Sequence, residues 1–447
     1  MRFLNDLLKN FPSYTKGHFE TTSINDEVMV YSGPMELIGG TSISGSGTVA
    51  LAWEPYPRMQ FKLDGPLKGE FSNLSASELQ FPRHSRSGQV MVSSRSLGEG
   101  DNSRTTGVIY SDIEFGDGSQ LSEVRFHVAN FHDSVGIAVT DGQSTWAGRH
   151  ELSHKGWTVT IDKVPHFKEL FAQLRTGGYG ITHVGVIRRS DGSAFRSQDV
   201  SDVLKALDVT LTFSRGLWCP VVLPVGHDQN NERCWYRWTS LHVGRVSPII
   251  SWFPEVDRSS LTKLFPGVLD RVSSSRWRDP LGVALHWYIE AVGARSGAEA
   301  SIVYAQTALE VISSVLLVDE LNLHTDQKLD ALKAYDRLSQ LMNSVGLPNN
   351  IPQSLRSLRA DVSAGKLDKH KTASSTISGI RNKIIHPTAS NRMALARLSS
   401  TTVIEAMSLS IWHVEMVLLW LFKYSGVYSN RLRERSIMDN DNVPWRV

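Results

Sequence analysis

The stretch GIRNKIIHPT, residues 379–388, combines side chains that could act together on a phosphate ester. The guanidinium of Arg381 is always charged and can bind a phosphate group through two parallel donors. His386 supplies an imidazole, a group that can act as a general acid or base. Asn382 lies directly after the arginine, and its amide could orient the histidine or a sugar hydroxyl. These residue types therefore fit phosphate binding and proton transfer at one place.

Spacing alone does not identify the site, because an arginine precedes a histidine at a similar distance at least four times. The pairs are Arg125–His132, Arg149–His154, Arg237–His242 and Arg381–His386. The first three lie in strand-rich sequence. Only the fourth lies in a helical pattern, with an asparagine after the arginine and with basic residues nearby, among them Lys369, Lys371 and Lys383. Context therefore selects the fourth pair.

Helix geometry raises a difficulty for this pair. On an ideal helix Arg381 and His386 lie about 140° apart and would not meet. Pro387 disfavours helical backbone in the residue before it, so we expect His386 to leave the helix at its end. Asn382 shares a helix face with the position of His386. In a two-fold dimer, the arginine of one chain could also reach toward the histidine of the other.

The elements before residue 250 are predicted to be mainly strands. Short runs rich in Val, Ile, Thr and aromatic residues alternate with Gly, Asp, Ser and Pro. LDVTLTFSRG, residues 207–216, is one of these predicted strands, and helices are predicted at 166–178 and 197–208. We expect a β-rich domain over 1–250, with two packed antiparallel sheets favoured over a barrel.

The pattern after residue 250 is different. Residues 251–278 mix Pro, Ser and charged residues and are predicted to bridge two domains. From 279 to 425, apolar residues recur at steps of three and four, which predicts an all-α bundle that ends in one long helix from about Arg392 to Tyr424. Residues 426–447 form a charged tail. The chain is therefore predicted to be a multidomain α+β protein.

Composition narrows the classes of function. Lys and Arg number 47 against 45 Asp and Glu, so the bulk charge gives no sign of a polyanionic partner. Cys219 and Cys234 are too few for a disulfide scaffold and lack the spacing of a zinc site, so we expect reduced thiols and no metal. The most apolar stretch, 407–422, holds His413 and Glu415, which favours a buried helix over a membrane span. We expect a cytoplasmic protein without a membrane anchor.

The helical bundle with RNKIIH near the start of its last helix pair resembles the HEPN superfamily, over roughly residues 280–425. Many members are metal-independent endoribonucleases that dimerise through this bundle. The resemblance implies that Arg381, Asn382 and His386 are catalytic and that Lys369, Lys371 and Lys383 bind RNA. Glu310, in AQTALEVIS, stands where some members carry an acidic residue, although a solvated glutamate explains it equally well.

The β-rich half carries a second resemblance. VRFHVANFHDS, VGVIRRSDGSAF and the segment from DVLKALDV to CWYRW are similar to the N-terminal domain of ApeA-type bacterial defence proteins, which join such a domain to a C-terminal HEPN domain. This implies an effector that cuts RNA, with tRNA among the candidates, and that stops growth during phage infection. The N-terminal domain would sense a phage-derived trigger. The implied products carry 2′,3′-cyclic phosphate ends, with no cofactor, and the assembly is a homodimer or a higher homo-oligomer.

Two alternatives stay open at the level of sequence. The chain could be a non-catalytic dimeric adaptor that binds a nucleotide or another ligand. RNKIIH could also be structural, with Arg381 capping a carbonyl group and His386 packed beneath a loop. The two are separated by His386→Ala, which would spare folding and partner binding in an adaptor and would lower stability if the histidine were structural.

Overall fold

The computed structural model describes residues 11–39, 42–68, 77–97, 102–239, 242–293, 297–367, 371–433 and 440–445. The chain divides into two compact units. The first comprises Met1–Leu204 and Trp218–Ser247, and the second comprises Lys205–Leu217 and Pro248–Val447. Antiparallel sheets dominate the first unit and helices dominate the second, so the predicted α+β class is confirmed.

Six strands at the start of the first unit form a closed barrel in the order β1-β2-β3-β6-β5-β4. They are β1 Val28–Ile38, β2 Ser42–Ala52, β3 Arg58–Lys68, β4 Ser77–Phe81, β5 Arg86–Leu97 and β6 Asn102–Ile109. Antiparallel pairing of residues 36–38 with 78–80 closes the ring. The prediction of two packed sheets in preference to a barrel is wrong here, because β4 pairs back to β1 and leaves neither strand as an edge.

An eight-stranded antiparallel sheet forms the rest of the first unit, in the order β7-β14-β13-β8-β12-β11-β10-β9. Its strands are β7 Ile113–Gly116, β8 Glu123–Ala129, β9 Ile137–Thr140, β10 Thr145–His154, β11 Trp157–Lys163, β12 Ile181–Arg189, β13 Val221–His227 and β14 Arg233–Trp238. The central strands β8, β12 and β13 are almost entirely buried. Helix α1, Phe167–Leu174, lies between β11 and β12 in the chain.

Helix α2, Ser197–Arg215, is longer than predicted. The predicted strand 207–216 is wrong, because Val209 to Arg215 continue the helix and are all buried. A helix that is buried on every side loses its apolar periodicity, and the alternation of Thr with apolar residues there imitates a strand. The C-terminal part of α2 belongs to the second unit.

The helices of the second unit after α2 are α3 Ser260–Val272, α4 Arg278–Val292, α5 Ala298–Ser314, α6 Asp326–Ala331, α7 Ala334–Ser344, α8 Arg356–Ser363, α9 Ala373–Ile385, α10 Ala389–Ala396 and α11 Ser400–Leu421. A π-helical turn, Val315–Glu320, extends α5. Short strands β15 Val427–Tyr428 and β16 Asp441–Asn442 pair in the tail. The bundle core includes Ile302, Leu309, Ile380, Leu409 and Leu418.

The long helix predicted from about Arg392 is in fact two helices. The Ser399 hydroxyl accepts a hydrogen bond from the backbone N–H of Thr402 at 3.0 Å, and so caps the start of α11 and separates it from α10. No residue of α10 is buried, whereas most of α11 is. The two helices therefore differ in role, α10 lying on the surface and α11 in the core.

Two helical stretches of the described chain are long and apolar enough to cross a membrane, Ala298–Glu320 and Ser400–Leu421. In their most apolar windows 61% and 72% of the residues are buried inside the protein. Core helices of this kind meet the same criteria of length and composition as membrane spans. The predicted burial of the stretch 407–422 is confirmed.

The segment 251–278, predicted as a bridge, contains helix α3, which packs against the end of α11. A Cβ atom at Gly267 would lie 1.7 Å from the carbonyl oxygen of Phe422, so only glycine permits this approach. Leu264, Phe265 and Val268 of the same helix are buried. The segment is therefore part of the packed second unit.

Candidate active site

Helix α9 carries RNKIIH and is anchored firmly at its start. The Thr372 hydroxyl accepts from the backbone N–H of Ser375, and the Ser375 side chain accepts in return from the backbone N–H of Thr372, which forms a capping box. Asn349 accepts hydrogen bonds from the backbone N–H groups of Ala373 and Ser374, both at 2.9 Å. Ile377 and Ile380 are fully buried beneath the helix. These contacts fix the axis of α9 and hence the direction of its last turn.

Helix α5 holds α9 at two points one turn apart. The Gln306 amide donates a buried hydrogen bond of 2.7 Å to the carbonyl oxygen of Ile377. Four residues further along each helix, Glu310 Oε1 lies 3.4 Å from Arg381 Nη2. Because each step is i to i+4, the two contacts follow one face of each helix and the helices run in the same direction there. Gln306 and Glu310 therefore locate the base of Arg381 and its guanidinium.

Among the described residues, the contacts that hold the Arg381 guanidinium are long. It lies 3.4 Å from Glu310, its Nη1 donates to Asn382 Oδ1 at 3.3 Å, and its Nε is buried without a hydrogen-bond partner among the described residues. The side chain is 20% exposed. A guanidinium fixed in this way keeps donor capacity for an anion.

His386 stands at the end of α9, outside the helical conformation, with φ −117° and ψ 77°. Its backbone N–H still donates to the carbonyl of Asn382 at 3.0 Å, and its side chain is exposed to solvent. The predicted departure of His386 from the helix before Pro387 agrees with this backbone. Within the described chain no hydrogen bond joins its imidazole to Arg381.

Two residues of the next helix, which sequence reasoning missed, shape this corner. The Asn391 amide donates to the His386 carbonyl at 2.7 Å, and the Arg392 guanidinium donates to the Pro387 carbonyl. The Thr388 hydroxyl caps α10 by accepting from the backbone N–H of Asn391 at 3.2 Å. The sequence does carry a signal for the start of this helix. Thr388 follows Pro387 and stands three residues before Asn391, which is typical of a residue that caps a helix N-terminus. The turn 386–388 is thus fixed from both sides.

The predicted RNA-binding lysines are not gathered at one point. Lys383 lies in the last turn of α9 and is partly buried. Lys371 is exposed and directly precedes the capping residue, so the rise of α9 places it about 20 Å along the helix from His386. Lys369 lies outside the described residues. Of the two lysines that the structure describes, only Lys383 therefore lies at the same end of α9 as Arg381, Asn382 and His386.

The arginines of the three competing arginine–histidine pairs lie on strands of the large sheet and contact carboxylates there. Arg149 forms two hydrogen bonds to the buried Asp162, at 2.8 and 2.7 Å, and Arg125 is bound by Glu123 and Asn231. Arg237 lies 4.0 Å from Glu114. The contacts of Arg149 and Arg125 are shorter than those of Arg381. These two guanidiniums therefore serve to stabilise the fold.

The end of α9 carries a cation, a neutral amide and an imidazole, and Asn382 and His386 are exposed there. A guanidinium can bind and polarise a phosphoryl group, and an imidazole can transfer a proton. Within the described residues no group of three or more His, Cys, Asp or Glu side chains is placed to hold a metal ion. These side chains could bind a phosphate group and transfer a proton.

Comparisons with known proteins identify two domains of this chain. Residues 116–249 match the family model of the YopA central domain, and residues 274–441 match that of the YopA C-terminal domain. The chain therefore contains YopA-like domains, and the candidate site lies within the second. Neither of the matched models is a HEPN or ApeA model.

One curated relative spans almost the whole chain. It is a protein of Bacillus subtilis strain 168 described as SPbeta prophage-derived uncharacterized protein YopA, 26% identical over 439 residues, which cover 95% of this chain and 96% of the relative. No solved structure matches the chain. The two proteins are therefore similar in length.

Proposed function

We propose that this protein is a metal-independent endoribonuclease of the HEPN type, with Arg381, Asn382 and His386 as its catalytic residues. The single observation that carries the proposal is the loosely held Arg381 guanidinium, 3.4 Å from Glu310, near the same end of α9 as the exposed His386. A purely structural arginine would be expected to form shorter contacts, like those of Arg149. A purely structural histidine would be packed, whereas His386 is exposed.

The reaction uses a nucleophile that RNA itself carries. His386 accepts the proton of a 2′-hydroxyl, and the 2′-oxygen attacks the adjacent phosphorus. The bond from phosphorus to the 5′-oxygen breaks, and the leaving oxygen takes a proton from a protonated acid. Arg381 binds the non-bridging oxygens and stabilises the charge that develops on them. The products are a 2′,3′-cyclic phosphate and a 5′-hydroxyl end.

A second chain would supply the second proton-transfer group. One chain places one histidine on this turn, whereas the reaction needs a base and an acid. Ile385, Met393 and Ile404, from α9, α10 and α11, are exposed by 36%, 58% and 51%, and α10 buries no residue within its own chain. Such apolar exposure favours association. We therefore propose a homodimer, or a higher homo-oligomer, that pairs two copies of the RNKIIH turn.

The proposed setting is the bacterial cytoplasm during phage infection, with RNA as substrate and tRNA as one candidate. The β-rich first unit would restrain the nuclease until a phage-derived trigger arrives. The Bacillus subtilis relative is described as prophage-derived, which fits a protein that acts in competition between phages. In this setting, cleavage of host RNA would stop growth before new phage is made.

The reaction is tested by incubating pure protein with cellular RNA and with purified tRNA in EDTA. We expect cleavage, ends that carry 2′,3′-cyclic phosphate, and no cleavage of an oligonucleotide whose 2′-hydroxyls are replaced by hydrogen. A requirement for a divalent cation, or cleavage of DNA, would contradict the mechanism. If the pure protein is silent, the same assay on RNA from phage-infected cells that express it separates a restrained enzyme from a binding protein.

A further inference from the structure

A second cluster that could bind a ligand lies in the first unit, far along the chain from RNKIIH. It consists of Arg83 and His84, in the turn between β4 and β5, and of Arg233 and Tyr236 on β14; we call it the Arg83–Arg233 patch. Arg83, His84 and Arg233 are exposed, and Tyr236 is half-buried. Two arginines, an imidazole and a phenol thus share one surface.

Aromatic contacts build the patch into a defined platform. Tyr236 stacks on the buried Phe115 with ring centroids 4.7 Å apart and an angle of 11° between the rings. The Arg233 guanidinium carbon lies 4.9 Å from the centroid of the Tyr236 ring. His84 packs edge-on against both rings, 5.4 Å from Phe115 and 6.4 Å from Tyr236. The planar groups are therefore held in fixed positions by the core beneath them.

The positive charge of the patch is not neutralised locally. Neither Arg83 nor Arg233 forms an ion pair with a carboxylate in the described part of the chain, whereas the nearby Arg125 and Arg188 share Glu123. Partial desolvation lowers the pKa of His84, and the charges of Arg233 and Arg83 lower it further. Burial lowers the pKa of His18 to about 4, again with a contribution from Arg233. Positive potential is therefore concentrated here.

We propose that the Arg83–Arg233 patch binds a nucleobase and its adjacent phosphate. Arginines without carboxylate partners are suited to grip a phosphate through paired donors. Aromatic rings and guanidinium planes both accept a stacked base, whatever its identity. The same chemistry is present in a free nucleotide and in a single-stranded nucleic acid. The site is independent of the proposed nuclease reaction, because it requires binding and no cleavage.

The test measures binding of two probes to the full-length protein by fluorescence anisotropy. One is a labelled adenosine triphosphate, and the other is a short single-stranded RNA with 2′-O-methyl groups, which cannot be cut by attack of a 2′-hydroxyl. The double variant Arg83→Glu/Arg233→Glu is compared with Arg104→Glu/Arg196→Glu, which changes net charge equally at exposed arginines elsewhere in the unit. Circular dichroism is used to check that each variant is folded.

We expect the first double variant to weaken binding about tenfold or more, since tenfold corresponds to about 1.4 kcal/mol, within the range of one stacked base. The second double variant should bind like wild type, and Arg233→Lys, which keeps the charge and loses the plane, should be intermediate. Weakened binding of both probes supports a free nucleotide as a sufficient ligand, and weakening for the oligonucleotide alone supports a polynucleotide. No binding, or equal weakening by both double variants, overturns the proposal.

Discussion

Glu310 Oε1 lies 3.4 Å from Arg381 Nη2, one helical turn beyond the hydrogen bond from Gln306 to the Ile377 carbonyl. This pair connects the core helix α5 to the residue that we propose binds the scissile phosphate. It also distinguishes Arg381 from Arg125 and Arg149, whose contacts are shorter. The proposed role of Arg381 in binding phosphate depends on this geometry.

Glu310→Gln removes the charge that orients Arg381. Because Arg381 and Glu310 are 20% and 35% exposed, we expect the free energy of unfolding to fall by less than about 1 kcal/mol. A misplaced guanidinium should lower kcat roughly tenfold to a hundredfold, with a smaller change in KM. Glu299→Gln, at the exposed start of the same helix, is the matched control. Wild-type kinetics for Glu310→Gln would mean that Glu310 is only a solvated glutamate.

Gln306→Leu removes the buried hydrogen bond to the Ile377 carbonyl. Since that carbonyl remains within the helical hydrogen-bond ladder, we expect a loss of about 1 kcal/mol in the free energy of unfolding. The shift of α9 should also reduce RNA cleavage. Thr307→Val serves as control, because its hydroxyl bonds only to the Val303 carbonyl of its own helix. Equal cleavage by the two variants would show that Gln306 does not position Arg381.

Removal of one partner of a buried ion pair should strongly destabilise the second unit. Arg431 Nε donates to Glu415 Oε2 at 2.8 Å, the Tyr288 hydroxyl donates to Glu415 Oε1 at 3.0 Å, and Glu415 is fully buried. Arg431→Met leaves the carboxylate uncompensated and should cost about 3–5 kcal/mol in urea unfolding. Arg431→Met/Glu415→Gln removes the stranded charge and should recover most of that loss. A double variant as unstable as the single one would disprove this explanation.

His413 should make the second unit sensitive to acid. It is fully buried in α11, neither ring nitrogen has a hydrogen-bond partner among the described residues, and burial lowers its pKa to about 3. The unfolded chain binds the proton at the ordinary pKa of about 6.5, so stability should fall as pH drops from there toward 3, by up to about 1.4 kcal/mol per pH unit. Below that range this contribution stays constant.

The test of this acid sensitivity is His413→Leu. The apolar side chain replaces an imidazole that has no hydrogen-bond partner among the described residues. Urea unfolding of both proteins, followed by the helical circular dichroism signal, would be compared near neutral pH and at about pH 5. The variant should match or exceed wild type at neutral pH and lose less stability in acid. An equal loss in both proteins would assign the acid sensitivity to other groups.

The sequence predicted the local features of the site. Pro387 predicted that His386 would end α9, because a proline restricts the backbone of the residue before it. The sequence left two interpretations of Glu310 open, an acidic residue near the site or a solvated glutamate. The contact of Glu310 with Arg381 was visible only in the structure. It joins positions far apart in the chain, which no periodicity encodes.

Two errors in the fold have the same physical origin. Residues 209–215 read as a strand because a helix buried all round shows no helical periodicity. The barrel read as open sheets because its closure depends on pairing between residues 36–38 and 78–80, and strand pairing of this kind depends on backbone hydrogen bonds that the residue types do not specify. Tertiary context decided both cases.

The most direct test of the site compares RNA cleavage by wild type, Arg381→Ala, His386→Ala and His242→Ala in EDTA. His242 is a matched control, because it is exposed like His386 and also follows an arginine by five residues. We predict that the first two variants remain folded and lose cleavage, while His242→Ala cuts RNA like wild type and leaves the same cyclic phosphate ends. Cleavage that survives in Arg381→Ala or His386→Ala would contradict the assignment of this turn as the active site.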